Sequence, residues 1–244
     1  MVLLLAGALV ALVAPLASAT QPDGAATPAP PAGASSPPPE TRRRHVVAAI
    51  GDSLTDTRVG GGRYMSYLAE KCPKSRFDAY GVGGQQTRHM RWRFTQDLFG
   101  DGLRGAPPKP AYTDVIVLGG VNDLSGGTVD EARLAKTREQ LSWMYRTGHE
   151  RGLRVIALTV PPWGGWRRAH DRRVTEEING WILGRQAAGE VDVAIDIHPL
   201  LTCGDDEQLC ARFRMTPRDT IHWSPAGHET VASAVQRAAF SDCE

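Results

Sequence analysis

From residue 46 onward, short apolar runs alternate with stretches of helical spacing. Val46-Val47-Ala48-Ala49-Ile50 and Val115-Ile116-Val117-Leu118 are continuous apolar runs of buried-strand length. Residues 76–80, 153–160 and 191–197 read as three further strands, the second of them stopped by Pro161-Pro162. Helices fill the gaps. The loop Gly60-Gly61-Gly62, read as flexible, precedes one at 64–70, and Met90, Trp92, Phe94 and Leu98 give 88–103 an apolar stripe. Leu134, Leu141 and Tyr145 are in helical register over 128–147, with Thr128 as the cap. Val174, Ile178, Trp181 and Ile182 do the same over 171–186, and Ser224-Pro225 opens a closing helix at 225–239. Regular strand–helix alternation predicts a parallel sheet covered on both faces. Ligands of such sheets collect at the carboxyl ends of the strands.

The amino-terminal part has a different texture. Residues 1–19 are apolar and uncharged and end in Ala17-Ser18-Ala19, the pattern of a secretory signal peptide cleaved before Thr20. Pro15 interrupts a core already short for a membrane span, so no membrane attachment is expected after cleavage. Residues 20–44, mostly Pro, Ala, Gly, Ser and Thr up to Glu40, read as an extended linker that cannot bury enough apolar surface to fold. This leaves 45–244 as one domain, with secretion or an envelope location expected.

Charge says little about partners. With Asp23 and Glu40 set aside, residues 41–244 carry 28 basic and 25 acidic side chains, a net of +3. The arginines are scattered, and the one tight run, Arg42-Arg43-Arg44, sits at a domain edge, so no nucleic-acid partner is expected. Cys72, Cys203, Cys210 and Cys243 fit an exported protein with two disulfides. Three pairings are possible; Cys203 with Cys210 is preferred because it encloses a polar turn, and Cys72 with Cys243 then follows by elimination. The cysteine and histidine spacings do not suit zinc. Gly81-x-Gly83 lacks the third glycine of a dinucleotide fingerprint, since Gln86 stands there, and there is no phosphate-cradling Gly-x-x-x-x-Gly-Lys. No metal and no cofactor are expected.

Chemistry gathers in four stretches: Gly51-Asp52-Ser53-Leu54, Gly81-Val82-Gly83-Gly84, Gly120-Val121-Asn122-Asp123 and Asp219-Thr220-Ile221-His222. The first three fall at or just past the predicted strands' carboxyl ends. Acyl transfer needs a nucleophile, a base, a group to orient the base, and donors for an oxyanion. Ser53 supplies the hydroxyl, His222 the imidazole, and Asp219, three residues earlier, a carboxylate that one turn brings to the ring. The backbone N–H groups of Ser53 and Gly81 and the amide of Asn122 are the expected oxyanion donors. Asp52, Asp56 and Asp123 read as groups that hold loop backbone. Trp163 and Trp166, after the fourth strand, are candidate substrate-binding aromatics.

These four ordered blocks resemble the GDSL or SGNH hydrolase family, and the match runs from residue 46 to about 240. The resemblance implies a three-layer α/β/α sandwich with a five-stranded parallel, flavodoxin-like sheet. It implies Ser53 as nucleophile, Gly81 and Asn122 as oxyanion donors, and Asp219 with His222 completing the triad. Ala79 stands where many members carry Asn. The expected function is an exported serine esterase acting on short acyl, chiefly acetyl, esters, including those of carbohydrate. An O-acyltransferase on glycans, or a non-catalytic glycan-binding module of the same fold, are the alternatives. The expected partner is a small acyl ester or acylated carbohydrate; oligomeric state is not readable.

Overall fold

The computed structural model describes residues 42–105, 107–126, 128–164, 171–204 and 208–244. Five parallel strands form its sheet: β1 (Val46–Gly51), β2 (Arg76–Gly81), β3 (Asp114–Leu118), β4 (Arg154–Leu158) and β5 (Val193–Ile195), in the spatial order β2-β1-β3-β4-β5. Six α-helices connect or follow them: α1 (Arg63–Lys71), α2 (Thr87–Phe99), α3 (Val121–Ser125), α4 (Glu131–Glu150), α5 (Arg172–Ala187) and α6 (Pro225–Ala239). The sheet grows one way from β1 to β2 and the other way from β1 to β3. Right-handed crossovers therefore place α1 on one face and α2, α4 and α5 on the other. Contacts agree, since α1 packs on α6 while α2 and α5 both touch α4. The result is the expected three-layer sandwich, and Val47 to Ile50 of β1, Val115 to Leu118 of β3 and Val155 to Leu158 of β4 are its nearly solvent-free centre.

Where the elements differ from expectation, side chains give the reason. The second helix stops at Phe99, because Gly100 takes φ 77° and returns its N–H to Gln96. Trp92 on that helix is 80% exposed and takes no part in the core. Asp130, not Thr128, caps α4 by accepting the Arg133 N–H, so that helix runs later, over Glu131–Glu150. Strands β4 and β5 are shorter than predicted, and a side chain takes over from the ladder beyond them. Thr159 Oγ1 accepts the Ile197 N–H at 3.0 Å and donates to Asp196 at 2.9 Å.

Both cysteine pairs form as preferred: Cys72 at the end of α1 with Cys243, and Cys203 with Cys210. The two ends of the folded part are tied together at the amino-terminal edge of the sheet. Arg43 N–H donates to Asp242 O at 2.8 Å and Glu244 N–H donates to Arg43 O at 3.1 Å, so the folded part already includes residues ahead of 45. Beside them His45, 2% exposed, lies 3.1 Å from both Asp114 and Asp242. Among the described residues, no helix is long and apolar enough to cross a membrane.

Candidate active site

Strand order reverses between β1 and β3, and the crevice at such a switch point is where open parallel sheets bind ligands. The loop after β1 and the helix after β3 both open onto it. Gly51 ends β1 in tight quarters, where a Cβ would lie 2.2 Å from Thr55 Oγ1. Asp52 then folds the loop back, its Oδ1 accepting the Leu54 N–H at 3.0 Å and its carbonyl the Thr55 N–H at 3.1 Å. The Gly60-Gly61-Gly62 run packs under this loop instead of forming a flexible link. A Cβ on Gly61 would meet Ser53 O at 2.0 Å, and Gly62 N–H donates to Leu54 O.

Ser53 is thereby held 8% exposed, with Oγ 2.9 Å from His222 Nε2. On the far side of the imidazole, Nδ1 lies 2.9 Å from Asp219 Oδ2. Asp219 Oδ1 also accepts the N–H groups of Ile221 and His222. Burial acts to raise the Asp219 carboxyl, but those N–H groups and the imidazole outweigh it and hold the group below its ordinary range. An ionised carboxylate on Nδ1 fixes the tautomer that leaves Nε2 free to accept the serine proton.

Asn122 sits in α3, a five-residue helix that begins at Gly120 with φ 117°. Its Nδ2 donates to Gln85 O at 2.9 Å and lies 3.3 Å from Asp52 Oδ2. Its neighbour Asp123 accepts the N–H and hydroxyl of Thr87 at 2.9 and 2.8 Å, so it locks the start of α2 to α3. Asp56 does similar work, accepting the Gly83 N–H at 3.0 Å while paired with Arg58, which lowers its carboxyl to about 2. Asp52 is the opposite case. Full burial drives its carboxyl up to about 7, against the lowering effect of the Leu54 N–H and the nearby His222.

Gly81 is placed differently from expectation. The N–H groups of Arg76 and Val82 both point at β1, donating to His45 O and Gly51 O. Successive strand residues alternate, so the Gly81 N–H faces the free edge of β2, away from β1 and its serine loop. Glycine is required there for packing, since a Cβ would meet Asp56 N at 2.1 Å. The turn just beyond is what reaches Ser53. A Cβ on Gly83 would lie 3.9 Å from Ser53 Cβ, and Gly84, at φ 74°, leaves its N–H without a hydrogen-bond partner among the described residues. Gln85 N–H closes this turn on Val82 O.

Arg93 had no sequence signal, yet it fastens these parts together. It is 5% exposed on α2 and donates to Gly51 O at 2.6 Å, Tyr80 O at 3.0 Å and Gln85 Oε1 at 2.6 Å. Trp163, expected at the substrate, is 1% exposed and gives its ring N–H to Thr175 Oγ1, so it packs the interior and offers no face to a ligand. Trp166 lies outside the described residues. Among the described residues, no cluster of three or more His, Cys, Asp or Glu side chains could hold a metal ion.

Solved structures share this architecture. A lipase/acylhydrolase from Enterococcus faecalis superposes with a TM-score of 0.59 at 21% identity, covering 79% of this chain and 94% of its own. A GDSL-like lipase from Bacteroides thetaiotaomicron gives 0.60 at 17%, covering 79% and 86%. A catalytic mutant of an acetylxylan esterase from Geobacillus stearothermophilus gives 0.62 at 16%, covering 84% and 99%. No curated protein matches the chain by sequence. The profile of one family of ester-hydrolysing enzymes does match, over residues 49–230, and with that match the chain belongs to the GDSL-like lipase/acylhydrolase family.

Proposed function

We propose that this protein is an exported serine esterase that hydrolyses short-chain acyl esters, acetyl esters of carbohydrate among them, through an acyl-enzyme. One observation carries the reading: the unbroken run from Ser53 Oγ through His222 to Asp219, with both contacts at 2.9 Å. In the proposed cycle Ser53 Oγ attacks the ester carbonyl as His222 Nε2 takes its proton. The N–H groups of Ser53 and Gly84, with the Asn122 amide, receive the developing oxyanion. The protonated imidazole then gives its proton to the departing alcohol, and water activated by the same nitrogen releases the acid. Two disulfides and the apolar leader support export to an oxidising compartment. Likeness to an acetylxylan esterase supports a carbohydrate ester.

Intact-mass analysis after treatment with a fluorophosphonate tests the reading. One adduct on the wild type and none on Ser53→Ala is expected; a folded wild type that takes no adduct would overturn it.

A further inference from the structure

The loop that carries Asp219 and His222 is a braced hairpin. Met215 N–H donates to His222 O at 2.9 Å and Ser224 N–H to Phe213 O at 2.7 Å, while Arg214 and Trp223 pair as an antiparallel bridge. Its tip is fastened to the segment after β4. Gly164 N–H donates to Thr220 O at 2.8 Å, and Thr220 Oγ1 donates back to Gly164 O at 3.0 Å. Within this tip lies a cavity of about 300 Å³ lined by Thr216, Arg218, Asp219, Thr220, Ile221 and His222.

Proton bookkeeping says which half of an ester this cavity faces. The imidazole that takes the Ser53 proton must pass it to the leaving oxygen, so that oxygen comes within hydrogen-bond reach of Nε2. The carbonyl oxygen turns the other way, toward the Ser53 and Gly84 N–H groups. The alcohol portion therefore departs on the side of His222, the residue through which this cavity adjoins the relay.

Among the described residues, the lining carries one uncommitted charge. Asp219 has its oxygens engaged by the Ile221 and His222 N–H groups and by the imidazole. Arg58 and Arg93 are bound to Asp56 and Asp97. Arg218 is exposed and has no carboxylate partner among the described residues. A guanidinium left open at the side of a cavity is a planar fork for a carboxylate or phosphate. Building on the serine esterase reading, we propose that the cavity is the leaving-group subsite and that Arg218 selects alcohols bearing an anionic group.

The test uses three acetyl esters of matched shape: 4-acetoxybenzoate, 4-acetoxyphenyl phosphate and the uncharged methyl 4-acetoxybenzoate. For the full chain and for Arg218→Gln, kcat/KM on each anionic ester is divided by kcat/KM on the neutral one. Comparing the two proteins cancels the intrinsic reactivity of each leaving group. The ratio is expected to fall about two- to fivefold in the variant, mainly through KM, with Arg218→Lys in between. The arm with the larger fall distinguishes carboxylate from phosphate. Equal ratios in wild type and variant would overturn the subsite. No turnover of any ester by folded wild type would overturn the esterase reading, and the subsite with it.

Discussion

The Arg93 guanidinium donates to the carbonyl of Gly51 at 2.6 Å, two residues ahead of Ser53. The same side chain reaches the carbonyl of Tyr80 and the side chain of Gln85, so one group sets the spacing between the serine loop and the Gly83-Gly84 turn. Arg93→Met removes all three of these charge-assisted bonds and leaves the Gly51 carbonyl with the Val82 N–H alone. It should cost about 3 kcal/mol of stability, as loss of buried charge-assisted hydrogen bonds does, and lower kcat more than it raises KM. Urea melts and steady-state kinetics on a short acyl ester check both parts.

Substitutions in the relay should separate orientation from charge stabilisation. Asp219→Asn removes the anion that fixes the His222 tautomer, and about 10⁴-fold of kcat should go with it. Asn122→Ala removes one expected oxyanion donor and should cost roughly 10²–10³-fold. Disappearance of the pre-steady-state burst in both variants would place both losses in the acylation step.

Two glycines of the second stretch should respond to alanine in different ways. Gly81→Ala drives a Cβ into the Thr55–Asp56 backbone at 2.1 Å. A loss of about 3 kcal/mol or more is expected there. Gly84 has open space around it, so Gly84→Ala meets only the strain of φ 74°. That costs about 1 kcal/mol. Thermal melts of the two variants give the comparison directly.

Burial of Asp52 has a pH signature of defined sign. Its carboxyl rises from an ordinary 3.8 to about 7, so between those values the folded state binds the proton that the unfolded state has released. Stability from this group therefore falls as pH rises through that window, and is lowest above about 7. Asp52→Asn keeps an acceptor for Leu54 N–H and removes the titration. The wild type should lose stability relative to this variant from pH 4 to pH 7, measured by urea unfolding at each pH.

The two disulfides should contribute unequally. Cys72–Cys243 spans 171 residues of sequence and Cys203–Cys210 spans 7. Closing those loops in the unfolded chain corresponds to about 5 and about 2 kcal/mol. Paired Cys→Ser variants, compared by chemical denaturation, should rank in that order.

Strand–helix alternation was legible because the apolar runs of β1 and β3, the stripes of α4 and α5 and the Ser224-Pro225 start of α6 are local patterns. The four chemical stretches were legible because short spacings carry them; Asp219 and His222 need only one turn to meet. What escaped depends on register and on contacts across the fold. Which N–H of the Gly81–Gly84 stretch faces Ser53 follows from the hydrogen-bond parity of β2, and no residue type records that. Arg93 lies 42 residues from the carbonyl it holds and looked like one more surface arginine. Helix α3 is five residues long, too short to show a period. Trp163 carries the same composition signal whether it faces a ligand or the interior.

The meeting of Arg43 with Cys243 has a practical meaning for handling this enzyme. Both ends of the folded part emerge at the amino-terminal edge of a sheet whose strands all run the same way, and Ser53 sits at the other edge. A tag, surface linkage or second catalytic module joined at either end therefore leaves from the rear. Immobilised through residue 244, the domain would present its open crevice outward to a polymer too large to diffuse around it.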